Sequence, residues 1–201
     1  MEKEKIIREF VDFVEGTMDF ETFWHNYQNN KDYYNLLDDK KPGMKYPKLK
    51  NQTINQNISI FSPNTSYGKA QICHDIFLFL QFYGISAEET QVYVKSFKFL
   101  MSIQPSYILV EDEYFLNKII TQAPEGLKKS EKNKWIKNRI KEMFKYDVKP
   151  PRWIQDPEWP IINGKPLVFK SQTRQRIEDE RVFYTFYDPD TLEETIITQF
   201  Y

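Results

Sequence analysis

The residues best suited by type to do chemistry are Cys73, His74 and Asp75, which follow one another directly. A cysteine beside a histidine invites a nucleophile reading, in which the imidazole takes the thiol proton. The spacing works against it. Neighbours on a helix point about 100° apart, so their side chains do not face each other. Cys73 also lies in the most apolar helical stretch of the chain, where a thiol reads as inert core. The other histidine is His25, and there is no further cysteine. Two histidines without a second ligand motif do not spell a metal site, and one cysteine cannot form a disulfide framework within the chain. There is no Walker loop, GxGxxG or GxSxG elbow. No catalytic residue, metal or cofactor is expected, and the chain does not read as an enzyme.

Two charged groups have a functional and a plain reading. Glu111, Asp112 and Glu113 could bind a metal or mimic a phosphate surface. More simply, they are acids in a first helical turn, where the macrodipole favours them. Lys128, Lys129, Lys132, Lys134, Lys137, Arg139, Lys141 and Lys145 form the outer side of a helix expected over 131–146, capped by Ser130. They could contact phosphates, making a nucleic-acid-associated phage or regulatory protein the alternative function. The plain reading is a solvated face. With 28 basic and 29 acidic residues, net charge −1, the whole surface does not suit a nucleic-acid or membrane binder. The expectation is therefore no membrane partner, and the balance argues against nucleic acid. The charged start Met1–Lys5 lacks an apolar signal core. The apolar run Ile76–Leu80 is too short to span a bilayer. A cytoplasmic protein is expected.

The elements that must position these residues change character along the chain. Ile6, Ile7, Phe10, Phe13 and Val14 share one helical face. Gly16 suits a helix stop, and Asp19 suits a cap for a second helix with Phe20, Phe23, Trp24 and Tyr27 inward. A short third helix fits 31–37. Residues 42–65, rich in Asn and Gln, read as a long loop, functional or a surface excursion, with one short strand near 58–61. Gly68–Tyr83 is apolar nearly all round and reads as a buried helix ending at Gly84. Ser86–Glu89 resembles a capping box opening a helix over 88–101, with Val92, Tyr93, Phe97, Leu100 and Met101 inward. A tight turn would pair the two helices. Phe115, Leu116, Ile119 and Ile120 supply another helical face.

Beyond residue 150 the period becomes that of strands. Residues 167–169, 182–187 and 195–200 are β-branched and aromatic. Asn163-Gly164 and Asp188-Pro189-Asp190-Thr191 are turn signals. Residues 173–180 read as a charged loop. The fold class is α+β: a helix-rich region, 1–149, packed on a joint and three-stranded antiparallel meander, 150–201, as one unit.

The joint is Pro150–Pro160, with four of the eleven prolines and two of the four tryptophans. Prolines fix φ and remove donors, so the segment runs extended. Trp153 and Trp159 either lid the junction of helices and sheet or form an aromatic recognition surface.

Pro151-x-Trp153-Ile154-Gln155-x-Pro157-x-Trp159-Pro160, Gly164-x-Pro166-Leu167-x-Phe169-x-x-Gln172, Tyr187-Asp188-Pro189 and Gln199-Phe200 form a spaced set. It resembles the C-terminal signature of small bacterial proteins of uncharacterised or immunity type found beside polymorphic or contact-dependent toxins. Phe13-Val14-Glu15-Gly16 and Phe20-Glu21-x-Phe23 are similar to their opening helices. The resemblance implies a non-enzymatic protein that neutralises a cognate toxin domain by direct binding. The candidate partner-binding residues are Trp153, Gln155, Glu158, Trp159, Gln172 and Tyr187.

Overall fold

A computed structural model describes residues 2–38, 53–109, 113–177 and 179–201. Residues 42–52 of the expected loop, Glu111, Asp112 and Glu178 lie outside the described residues. The class is α+β. Among the described residues there are eight helices, mostly N-terminal, and a C-terminal three-stranded antiparallel sheet whose strands neighbour one another in chain order. The chain forms two compact units, 1–99 and 100–201. No described helix is long and apolar enough to cross a membrane.

The first unit holds α1 (Glu2–Glu15), α2 (Phe20–Asn29), α3 (Lys31–Asp38), α4 (Ile54–Ile58), α5 (Ser66–Phe82) and the start of α6 (Val92–Ile103). Its core is the apolar face expected from α1, with Ile6, Phe10, Phe13 and Val14 buried against Phe23, Tyr33, Ile76 and Phe79. Phe13 stacks on Phe23 at 3.9 Å, and Phe10 meets Tyr33 and Phe79 edge-on. Gly16 ends α1 at φ +80°. Asp19 caps α2, accepting from the Thr22 amide at 2.7 Å.

Three expectations for this unit are corrected. The short strand near 58–61 is absent. Thr53 and Gln56 form a reciprocal capping box, and Ile54 and Ile58, four apart, are both buried, which together wind α4. The Ser86–Glu89 box does not open a helix. After the turn at Tyr83–Gly84, residues 85–90 run irregular and the Thr90 amide goes to Val14 O at 2.8 Å, so α6 starts only at Val92 and the turn alone does not join it to α5. Val92 and Met101 are exposed, not inward.

The second unit holds α7 (Glu113–Thr121), α8 (Lys129–Met143), a small hairpin β1 (Ile161–Ile162) and β2 (Lys165–Pro166), and the meander β3 (Val168–Ile177), β4 (Asp179–Tyr187) and β5 (Glu194–Phe200). Asn163 and Gly164 both have positive φ, the geometry a two-residue hairpin requires. Residues 173–177 and 179–180 are strand, not loop, paired Thr173↔Phe183 through Ile177↔Asp179. The helix expected over 131–146 runs 129–143. Its cap is Lys128, whose amide donates to Glu131 Oε2 at 3.0 Å, which leaves Ser130 inside the helix. It stops early because the next backbone groups are taken by the sheet: Phe169 N donates to Lys145 O at 2.9 Å and Asp147 N to Phe169 O at 3.0 Å.

Candidate functional site

Strand periodicity fixes which side of the meander is covered. Alternate residues of β4, Val182, Tyr184 and Phe186, are buried. Onto them folds the Pro-rich joint, which has no regular structure of its own. Trp153 lies 4.4 Å from the Tyr184 ring and stacks on Phe186 at 6.0 Å. Trp159 meets Phe144 and Phe186 edge-on. Both indoles have their donors satisfied: Trp153 Nε1 by Tyr107 O at 2.9 Å, Trp159 Nε1 by Leu167 O at 2.8 Å. With Trp159 only 6% exposed, the two rings act as the lid over this side of the sheet. The joint has no hydrogen-bonding ladder, so the sheet supplies its partners. Tyr184 Oη donates to Arg152 O at 3.1 Å and accepts from Ile154 N at 3.0 Å.

The other candidate residues fasten the same joint. Gln155 Nε2 donates to Phe200 O at 2.8 Å. Glu158 accepts from Gln199 Nε2 at 3.3 Å. Gln172 Oε1 accepts from the Arg152 amide at 2.8 Å. These five residues are therefore brought together around the joint. Tyr187 stands apart, donating to Asp147 Oδ1 at 3.0 Å, and that bond holds its hydroxyl above the ordinary tyrosine pKa. Gln155, Glu158 and Gln172 remain exposed, but the two tryptophans do not form an open aromatic platform.

An open platform exists on the opposite side of the sheet. The pairing register sets Glu194, Ile196, Thr198 and Phe200 of β5 across from Tyr187, Thr185, Phe183 and Arg181 of β4. Ile196 is 58% exposed and Phe200 49%. Charges bound this apolar strip. Lys170 pairs with Glu194 at 2.5 Å at one end, and the Arg181 guanidinium sits over the Phe200 ring at 5.3 Å at the other. The Glu194 bond holds the Lys170 ammonium above its ordinary pKa. Ile196 and Phe200 were not among the candidates. Their signal was legible: strands apolar on both faces, only one of which a covering layer can bury.

The Cys73, His74 and Asp75 side chains diverge. Cys73 is buried, and burial pushes its thiol up to about 12. His74 is exposed and meets Glu89 at 3.2 Å, while buried Asp75 accepts from Asn57 Nδ2. No group of three His, Cys, Asp or Glu that could hold a metal ion occurs among the described residues.

On α8, Ile136 and Ile140 are buried and Lys134, Lys137 and Lys141 exposed. Beside those lysines is a depression of about 370 Å³ lined by Gln122, Trp135, Asn138, Arg139 and Glu142. Compared with known proteins, the chain matches no family model, no curated protein and no solved structure.

Proposed function

We propose that the chain is a non-enzymatic protein-binding protein, and that its partner docks on the outer face of β4 and β5. The observation that carries this reading is the exposed pair Ile196 and Phe200, flanked by Thr198 and Phe183 and bounded by charged side chains. An apolar centre with a polar rim is the ordinary anatomy of a protein interface. The face is held rigid from behind by the joint and its two tryptophans, so docking would order little of this chain. Following the resemblance to immunity-type proteins, the partner is a cognate bacterial toxin domain, neutralised by direct binding in the cytoplasm. The surface moves from the joint, where Trp153 and Trp159 are covered, to the opposite side of the sheet.

Co-expression with the toxin domain encoded beside its gene tests the reading. The chain should restore growth. Ile196→Glu with Phe200→Glu should keep the thermal transition and abolish rescue. Rescue by this double variant would remove the outer face from the interface, and no rescue by the unmodified chain would reject the immunity role.

A further inference from the structure

The depression beside α8 joins two features that are separate in the sequence. The first is a row of charge. Lys134, Lys137 and Lys141 fall at i, i+3 and i+7, on one side of the helix. All three are exposed, and none pairs with a carboxylate among the described residues. At 1.5 Å per residue the row spans about 10.5 Å, room for about three phosphates of a stacked strand. The second feature is a concave, mixed polar and aromatic site. Trp135 is half-buried and lines the depression together with Gln122, Asn138, Arg139 and Glu142. Asn138 lies four residues after Lys134 and three before Lys141, so the depression borders the row directly.

We infer that this is a binding site for single-stranded nucleic acid, with one base held against Trp135 and the flanking phosphates on Lys134, Lys137 and Lys141. An indole offers a stacking face that suits any base. The amides of Gln122 and Asn138, the Arg139 guanidinium and the Glu142 carboxylate supply donors and acceptors for the edge of an unpaired base. Arg139 and Glu142 pair at 3.4 Å with both side chains well exposed, and such a pair is weak enough to open for a ligand. A solvated basic face would need none of this concavity. A duplex, with its bases stacked and paired, could use only the lysines. The site is independent of the sheet face proposed for protein binding.

Fluorescence anisotropy with the full chain and labelled twelve-nucleotide single strands of DNA and RNA tests the inference. Binding should weaken with a log–log salt slope of about −2, roughly 20-fold between 50 and 200 mM salt, as three single-strand phosphates require. Trp135→Ala should weaken it about 5- to 150-fold, and Trp135→Phe far less, because the ring is what stacks. The triple variant Lys134→Gln, Lys137→Gln, Lys141→Gln should flatten the salt slope. If Trp135→Ala loses its circular dichroism, Arg139→Ala reads the same depression and should weaken binding. No binding at low salt, equal affinity for duplex of the same length, or intact binding in a folded Trp135→Ala or Arg139→Ala variant would each overturn the inference.

Discussion

Gln199 grips the backbone at Asp156, donating from Nε2 to its carbonyl at 2.7 Å. The other end of the same amide accepts from Ile154 N at 3.2 Å and Gln155 N at 3.1 Å. Gln199 is 1% exposed, so one buried side chain replaces the ladder that the Pro-rich joint cannot make. Gln199→Met keeps the shape and leaves these groups without that partner. Ile154 N keeps Tyr184 Oη, so the loss falls mainly on two groups, at about 1–3 kcal/mol each. Urea denaturation should show a loss of about 2–6 kcal/mol. A change below about 0.5 kcal/mol would mean the joint is held by its rings alone.

The rings themselves should differ in weight. Trp159 is enclosed by Tyr107, Phe144, Phe169 and Phe186. Trp159→Ala should cost about 3–5 kcal/mol. Trp153 is only half-buried, so Trp153→Ala should cost less. Thermal melts of the two variants give the order, and the reverse order would refute this account of the lid.

Much of the architecture was legible because it follows periodicity. The buried sets of α1 and α2, the stops at Gly16 and Gly84, and the alternation in β4 are all local patterns. What was missed depends on contacts distant in sequence. Ser86–Glu89 has the composition of a helix start, yet the Thr90 amide is claimed by Val14. Tyr146 has a helical neighbourhood, yet residues 145–147 are bound to Phe169. The grouping of the candidate residues has a related cause. Trp153, Gln155, Glu158 and Trp159 are close in sequence and Gln172 is not, and what makes the five a group is the meander, whose side chains and backbone fasten the joint and cover the indoles.

Close approach at one glycine gives a sharp test of the first unit. A Cβ at Gly68 would run into the Ser62 carbonyl oxygen, a backbone atom beside the Thr65 cap of α5. Gly68→Ala should therefore cost about 2–3 kcal/mol although alanine favours helix, because overpacking here displaces backbone. Gly84 has open space around it but sits at φ +71°. Gly84→Ala should cost about 1–2 kcal/mol from the left-handed conformation alone. Chemical denaturation compares the two, and a neutral or stabilising Gly68→Ala would show that the segment 62–65 yields.

Burial of Cys73 predicts an alkaline weakness. Its thiol is pushed from 9.0 up to about 12, mainly by burial and secondarily by the Glu89 carboxylate. The folded chain then holds its proton longer than the unfolded chain does. The resulting stability is complete below pH 9 and is lost as pH rises from 9 towards 12. Within that window the slope is about 1.4 kcal/mol per pH unit for one proton. Tyr27 and Tyr93 are also raised by burial from 10.0, so they steepen the fall only above about pH 10. Urea midpoints at about pH 8 and pH 10 should therefore differ for the unmodified chain and much less for Cys73→Ala. The same burial keeps the thiolate, the reactive form, out of reach. Iodoacetamide should leave Cys73 untouched in the folded chain at pH 8 and label it rapidly in urea. Rapid labelling of the folded chain, or an equal pH response in Cys73→Ala, would contradict an inert core thiol.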